Sequence, residues 1–306
     1  MRLLLFGTGA LASLLGARLA RAGRHVVTLA GTWGEALARI ASDGIEVREL
    51  DEAFVARPGT CRADGPLPEA DVALVLVKAW QTGRVVPHLR RAVEEGAAPF
   101  TFQNGLAARD DLAAALDRDV GLGVVSVGAL LEAPGVVRAA GPGRVALAAE
   151  GDLSAAAAKL ARVLTEAGTP ARVEADVRAA LWRKLVANAA INALTALHGV
   201  RNGELLARPE LRAQMEAAAR EAGSVASALG IDLAADPAGL AASVIEATAG
   251  NRSSMLQDVE RGGPTEVDVV NGAVVREARR LGLPAPVNER LWQAVLACSG
   301  AGAARP

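Results

Sequence analysis

The sequence contains no tyrosine, only 3% aromatic residues and only two cysteines among its 306 residues. Cys61 and Cys298 lie far apart and form no CxxC motif, which argues against a disulfide framework and against a thiolate zinc site. The three histidines have no metal-ligand spacing, so the sequence predicts no bound metal. No apolar run reaches the roughly 18 residues that a transmembrane helix needs.

An excess of either charge is also missing, since Lys and Arg total 33 and Asp and Glu total 34. This balance argues against nonspecific binding to nucleic acids or to anionic membranes. Hydrophobic residues make up 51% of the chain, enough for a large core, and the length suggests two domains. The apolar start superficially resembles a signal peptide, but the glycines and arginines after it fit a βαβ unit better. We therefore expect a cytoplasmic protein.

Short apolar runs alternate with helical patterns in the first half of the chain, which predicts a doubly wound sheet. The expected strands cover residues 2–6, 25–29, 72–77, 100–102 and 122–127. Two β-rich arms within residues 135–149, around the segment 140–143, suggest an antiparallel hairpin. After about residue 173 the chain becomes a series of Ala/Leu-rich helical segments. The sequence thus predicts an α/β Rossmann-type domain over residues 1–173 and an all-α domain over residues 174–306, with a ligand cleft between them.

A glycine-rich loop follows the first expected strand and opens the first expected helix. Gly7 permits a tight turn, Gly9 lets the backbone approach a pyrophosphate, and Ala12 stands where a third glycine is usual. Free N–H groups at the helix N-terminus would bind the phosphates. This context predicts a dinucleotide cofactor contacted by consecutive residues, namely Gly7, Thr8, Gly9, Ala10, Leu11 and Ala12.

The end of the second expected strand bears on which dinucleotide binds. An NAD site usually places Asp or Glu about 20 residues after the loop, where it binds the ribose 2′-hydroxyl. Residues 29–32 read Leu-Ala-Gly-Thr and contain no acid, which permits NADP because no carboxylate repels its 2′-phosphate. Thr32 can donate a hydrogen bond there, and Lys78 can supply positive charge.

Two polar clusters occur in the helical half. Lys184, Asn188 and Asn192 are spaced i, i+4 and i+8, so they form a narrow polar stripe on an otherwise apolar helix. Such a stripe fits the wall of a ligand cleft, and a buried helix–helix contact is the alternative. In the second cluster, residues 251–258, Ser253 or Ser254 is either a helix N-cap or a ligand-binding group.

Seven motifs follow one another along the chain. They are, in chain order, Gly7-x-Gly9, Val77-Lys78-Ala79-Trp80-Gln81, Gln103-Asn104-Gly105, Leu181-Trp182-Arg183-Lys184-Leu185 with Asn188 and Asn192, Asn202-Gly203-Glu204-Leu205, Ser253-Ser254-Met255-Leu256-Gln257-Asp258 and Thr265-Glu266-x-Asp268-x-x-Asn271-Gly272. Together, these motifs resemble those of ketopantoate reductases (2-dehydropantoate 2-reductases), over about residues 2–290. The resemblance implies NADPH-dependent reduction of 2-dehydropantoate to (R)-pantoate, a step of pantothenate and coenzyme A biosynthesis.

The resemblance also implies roles for single residues on the substrate side of the site. Lys184 is the expected proton donor, and Asn188 and Asn192 are expected to hold the substrate. Ser254 is expected to bind the substrate carboxylate. Glu266 is expected beside both substrate and cofactor, as a second catalytic residue.

On the cofactor side, the resemblance assigns Asn104 to the nicotinamide end of the site and Lys78 to the cofactor-binding surface. Thr32 stands where many family members have arginine, which weakens the inferred preference for NADPH. Two alternatives stay open: a reductase of another 2-oxo acid on the same scaffold, and a non-catalytic NADP-binding sensor. The sequence does not determine the oligomeric state, and a homodimer is one option.

Overall fold

The computed structural model describes residues 1–141 and 143–302, and the chain forms two compact units. The first unit contains Met1–Gln103 and Ala107–Val177, and the second contains Asn104–Leu106 and Arg178–Pro306. The units divide after Val177, whereas the sequence analysis predicted the boundary near residue 173. Residues 303–306 of the expected second domain lie outside the described residues.

An eight-stranded sheet forms the frame of the first unit, in the order β12-β11-β8-β7-β6-β1-β2-β5. The strands from β8 to β5 in this order are mutually parallel, and β11 runs antiparallel to β8. The strands of the unit are β1 (Arg2–Phe6), β2 (Val26–Gly31), β3 (Ile45–Arg48), β4 (Ala53–Ala56), β5 (Gly59–Arg62), β6 (Val72–Val75), β7 (Ala98–Thr101), β8 (Gly121–Val125), β9 (Ala129–Ala133), β10 (Val136–Ala139), β11 (Val145–Ala148) and β12 (Ala171–Val173).

Helices cover the main sheet, and its central strand is buried on both faces. Leu3 and Leu5 of β1 point into one hydrophobic cluster, and Leu4 and Phe6 point into the opposite one. A parallel strand covered on both faces therefore reads as an uninterrupted apolar run. The helices of this unit are α1 (Ala10–Arg21), α2 (Gly34–Asp43), α3 (Thr82–Glu94), α4 (Ala108–Leu116) and α5 (Leu153–Glu166), with a 3₁₀ turn at Ala79–Gln81.

The predicted hairpin around residues 140–143 is wrong, because β10 and β11 belong to different sheets. β10 lies in a second sheet of order β4-β3-β10-β9, which packs against α1, whereas β11 pairs with β8. The tight turn that reverses the chain is at Pro134-Gly135, between β9 and β10, and Gly135 has a φ of +71°. Pro142 lies outside the described residues. Both segments have strand composition, but the pairing partners are set by contacts distant in the sequence.

The second unit is helical, and α6 lies at its centre. Its helices are α6 (Arg178–His198), α7 (Glu204–Ala207), α8 (Pro209–Ala228), α9 (Pro237–Ala247), α10 (Ser254–Glu260), α11 (Asn271–Arg280) and α12 (Pro286–Gly302). Helices α8, α9, α10, α11 and α12 all pack against α6. Ala189, Ala190 and Ala193 are fully buried, and these small side chains allow the close approach. The prediction of a Rossmann-type α/β unit followed by an all-α unit is confirmed.

Among the described residues, no helix combines the length and the apolar character that crossing a membrane requires.

Candidate active site

The glycine-rich loop lies at the carboxyl end of β1, next to the point where the strand order reverses. The N–H of Gly7 donates to the carbonyl of Ala30 at 2.8 Å, and its φ of +135° suits glycine. Gly9 is the N-cap of α1, no side chain caps this helix, and its first turn contains no acid. A Cβ at Gly9 would meet nothing within 4 Å. The orphan N–H groups at this helix start therefore form a cradle that fits a pyrophosphate.

The side chains of the loop point into the protein. Thr8 packs on Gly31, where a Cβ would come within 3.0 Å of Thr8 Cγ2. Ala12 is fully buried, and its Cβ would lie 3.5 Å from a Cβ at Gly7. Leu11 packs against the hydrophobic core. The loop, including Ala10 at the start of α1, can thus contact a ligand chiefly through its backbone.

The close contact between helix and strand falls at a glycine that the sequence analysis did not single out. A Cβ at Gly16 would lie 2.7 Å from Leu29 Cδ1. Gly16 therefore allows α1 to approach β2, a role that the dinucleotide motif usually assigns to its third glycine.

Thr32 and Lys78 both follow strands that flank β1 in the sheet. Phe6 of β1 is in register with Ala30 of β2 and with Val75 of β6, so both residues lie beyond the same edge as the glycine loop. Thr32 is exposed, and Lys78 is half-buried. This edge is where open α/β sheets bind ligands.

Two charged residues that the sequence analysis overlooked lie at the carboxyl end of β5, the strand next to β2 in the sheet. Arg62 ends β5 and is in register with Gly31 of β2. Its guanidinium donates two hydrogen bonds to the Asp64 carboxylate, at 2.9 and 2.7 Å, and this contact lowers the pKa of Asp64. No local sequence signal singles out Arg62, because β3 and β4 separate β2 from β5 in the chain and only the sheet order brings β5 beside β2.

Gln103 is a further residue that the sequence analysis left without a role. Its amide nitrogen donates to the carbonyl of Val77 at 3.1 Å and to Thr82 Oγ1 at 2.8 Å. Its amide oxygen lies 3.1 Å from Thr101 Oγ1. These bonds join the end of β7 to the loop that carries Lys78, so Gln103 positions that loop.

In the second unit, the polar stripe of α6 is partly enclosed. Lys184 and Asn188 are half-buried, and Asn192 is 7% exposed. Burial removes water from the Lys184 ammonium and lowers its pKa from 10.5 to about 8, while the charge of Glu266 acts in the opposite direction. A lysine with this pKa can both carry a positive charge and give up a proton near neutral pH.

Glu266 is held in place by Asn104. The amide nitrogen of Asn104 donates to Glu266 Oε2 at 2.9 Å, and Glu266 is 7% exposed. The following residue, Gly105, has a φ of +100° and approaches Val269, which a Cβ would meet at 3.0 Å. The segment Asn104–Leu106 therefore packs on the loop that carries Glu266. Lys184, Glu266 and Asn104 form one group, because Asn104 bonds the carboxylate whose charge acts on Lys184.

The structure distinguishes the two serines at the start of α10. Ser253 is the N-cap, and its hydroxyl accepts from the N–H of Leu256 at 3.1 Å. Ser254 is the first residue of the helix, and its side chain is exposed. Because Ser253 provides the side-chain cap of this helix, the exposed Ser254 hydroxyl is not needed for capping and is available to a ligand.

Two residues of the last motif serve the fold. Asn271 is fully buried, and its amide nitrogen donates to the carbonyl of Ala189 at 2.9 Å and to Asn288 Oδ1 at 3.0 Å. A Cβ at Gly272 would come within 2.9 Å of the Trp292 ring. Asn271 thereby joins α11 to α6 at Ala189, the residue after Asn188.

No group of three or more His, Cys, Asp or Glu side chains in the described part of the chain is arranged to hold a metal ion. The candidate cofactor residues 7–12, Thr32 and Lys78 belong to the first unit. Asn104, Lys184, Ser254 and Glu266 belong to the second.

Comparison with known families identifies the family to which the chain belongs. The family model "Ketopantoate reductase PanE/ApbA" matches residues 3–151, and the model of that family's C-terminal part matches residues 176–299. The chain belongs to the ketopantoate reductase family. The resemblance inferred from the motifs is therefore confirmed.

Individual members of the ketopantoate reductase family match over nearly the whole chain. The 2-dehydropantoate 2-reductase of Halobacterium salinarum is 37% identical over 94% of this chain and 95% of the relative. That of Archaeoglobus fulgidus is 36% identical over 96% of both chains. The crystal structure of a PanE/ApbA family ketopantoate reductase from Ralstonia eutropha has a TM-score of 0.89 and 30% identity, covering 99% of this chain and 100% of the other.

A D-mandelate dehydrogenase bound to NADH and anilino(oxo)acetate also has the same fold. Its TM-score is 0.90 at 24% identity, and the match covers 99% of this chain and 100% of that one. The likeness shows that a dehydrogenase of another acid shares this architecture.

Proposed function

We propose that the protein is an oxidoreductase that reduces 2-dehydropantoate to (R)-pantoate with NADPH, in pantothenate and coenzyme A biosynthesis. The observation that carries the proposal is the group formed by Lys184, Glu266 and Asn104, in which a desolvated lysine has a pKa of about 8. Relatives named 2-dehydropantoate 2-reductase, matched over nearly the whole chain, support the substrate. In this proposal the first unit binds the dinucleotide, and the second carries the substrate and catalytic groups.

Lys184 is the proton donor of this mechanism. Reduction of a ketone places negative charge on its oxygen, and a nearby ammonium both stabilises that charge and protonates it. When bound, the nicotinamide supplies the hydride. A pKa of about 8 keeps Lys184 protonated at neutral pH and still able to release its proton.

Glu266 keeps the lysine charged. Its carboxylate raises the pKa of Lys184 against the effect of burial, and the hydrogen bond from Asn104 orients it. Without this carboxylate a larger share of Lys184 would be neutral at pH 7 and unable to donate a proton. Glu266 thus acts beside the reacting groups without itself transferring the proton.

The remaining candidates bind the substrate. The Ser254 hydroxyl, left available by the capping role of Ser253, donates a hydrogen bond to the substrate carboxylate. The amides of Asn188 and Asn192, on the same face of α6 as Lys184, hold the oxygens at the other end of the substrate. Each of these contacts orients the 2-oxo group toward Lys184.

The first unit is suited to bind NADPH. The cradle at Gly7–Gly9 fits the pyrophosphate, and residues 29–32 at the end of β2 contain no acid. The Asp64 carboxylate near this strand end is bonded by the Arg62 guanidinium, which offsets its charge. We assign the phosphate to Thr32, Lys78 and Arg62, the last because the strand register places it beside Gly31. A cytoplasmic location and a homodimer stay predictions.

The test is an assay of NADPH oxidation with a panel of 2-oxo acids that includes 2-dehydropantoate. We expect 2-dehydropantoate to have the highest kcat/KM of the panel. A higher value for another member would assign the protein to a different 2-oxo acid, as the shared fold of D-mandelate dehydrogenase allows. Absence of turnover with every member, despite measurable NADPH binding, would favour the sensor alternative.

A further inference from the structure

Two buried hydroxyl groups join the substrate-binding helices of the second unit. Thr195 lies on α6 and is 0% exposed, and Ser253 caps α10 and is 6% exposed. Their oxygens are 2.7 Å apart. Thr195 Oγ1 also lies 3.0 Å from the carbonyl oxygen of Asn192, and Ser253 Oγ accepts from the N–H of Leu256.

The number of protons fixes the direction of these hydrogen bonds. Each hydroxyl has one proton to donate and two lone pairs that accept. Every donor finds an acceptor when Leu256 N–H donates to Ser253, Ser253 donates to Thr195, and Thr195 donates to a carbonyl of α6. The result is a chain of hydrogen bonds, called the relay below, that starts in the first turn of α10 and ends on α6, at the carbonyl of Asn192 or of Ile191.

The position of this relay is informative. Asn192 belongs to the polar stripe, and Ser254 directly follows the capping serine. The hydroxyl pair therefore connects the carbonyl of Asn192, or of Ile191, with the first turn of α10, the turn in which Ser254 lies. It also lies in an Ala-rich core, where an apolar pair would pack without the cost of burying two polar groups.

We propose that Thr195 is a positioning residue for the substrate carboxylate. Through Ser253, it holds the first turn of α10 at the distance from α6 that lets Ser254 and the stripe contact one substrate together. This inference rests on the proposed role of Ser254 in binding a 2-oxo acid. Thr195 itself contacts neither substrate nor cofactor.

The experiment compares Thr195→Val with a matched control, Thr248→Val. Thr248 is the C-cap of α9, its hydroxyl is also bonded to the carbonyl four residues earlier, and it also bridges to another segment, where it accepts from Asn202 at 2.9 Å. We expect Thr195→Val to raise the substrate KM about 5- to 20-fold, part of the loss of a hydrogen bond to a charged group. Its kcat should change far less, and its Kd for NADPH should stay unchanged.

Thr248→Val should lose comparable thermal stability and keep the wild-type KM. Thr195→Ser retains the hydroxyl and should recover the KM, which separates the relay from the packing of the methyl group. A double-mutant cycle completes the test: in a Ser254→Ala background, Thr195→Val should raise the KM by no more than about twofold, because the contact that it positions is already gone.

Hydrogen exchange of the Leu256 amide tests the relay without turnover. This amide should exchange faster in Thr195→Val than in the wild type or in Thr248→Val. Unchanged exchange refutes the relay, even if no 2-oxo acid proves to be a substrate and the proposed function fails. Faster exchange with an unchanged KM, or additive effects of Thr195→Val and Ser254→Ala, would show that the relay does not position Ser254.

Discussion

Replacing Lys184 with arginine keeps the positive charge of the polar stripe and removes its ability to donate a proton. Lys184 has a pKa of about 8, whereas the pKa of a guanidinium lies far above neutrality, so arginine does not give up its proton at neutral pH. General acid catalysis is worth about 10²- to 10⁴-fold in rate. We therefore expect Lys184→Arg to lower kcat by about that factor and to leave NADPH binding nearly unchanged.

The pH profile makes this prediction sharper. Reduction requires the protonated lysine, so kcat/KM for the 2-oxo acid should be level below the pKa of Lys184. Above about pH 8, it should fall by about tenfold per pH unit, following the fraction of protonated lysine. A bound substrate anion stabilises the ammonium, so kcat should fall at a higher pH than kcat/KM. Lys184→Arg should show neither decline.

The assay follows NADPH absorbance from pH 6 to 10 with saturating cofactor. Lys159→Arg is the matched control, because Lys159 is exposed on α5 in the other unit and its replacement should leave the profile intact. Near-normal kcat in a folded Lys184→Arg variant would refute the role of Lys184 as proton donor. A decline near pH 8 that persists in this variant would assign the titration to another group.

Four further predictions concern Glu266, Ser254, the choice of cofactor and Arg62. Glu266→Gln should shift the decline in kcat/KM to a pH below that of the wild type. In the wild type the Glu266 carboxylate raises the pKa of Lys184, so removing this charge lowers that pKa. An unshifted decline would mean that the two charges are not coupled. Ser254→Ala should raise the substrate KM by about 10-fold or more, as for a hydrogen bond to a charged group, with little effect on Tm; a lower Tm with an unchanged KM would indicate a structural role instead. The wild type should have a higher kcat/KM with NADPH than with NADH. Arg62→Ala should weaken the binding of 2′,5′-ADP, measured by calorimetry, while the binding of 5′-AMP stays constant. Equal losses of affinity for both nucleotides would place Arg62 away from the 2′-phosphate.

Local pattern in the sequence was sufficient for several elements of this protein. The run Arg2–Phe6 reads as a buried parallel strand because both of its faces are covered, so every residue but the first is apolar. The spacing of Lys184, Asn188 and Asn192 places them on one helix face by the geometry of the α-helix alone. The order of strands and helices, with the glycine loop after the first strand, was sufficient for the fold class.

Only the tertiary structure decided which segments pair and which groups lose water. The arms around residues 140–143 have strand composition, yet one joins β8 and the other joins β9, because strand pairing depends on contacts distant in sequence. Gln103 and Arg62 acquire partners and neighbours through the sheet, which no local pattern encodes. The pKa of Lys184 likewise follows from the side chains that pack around α6, since desolvation depends on the surrounding fold and not on neighbours in the chain.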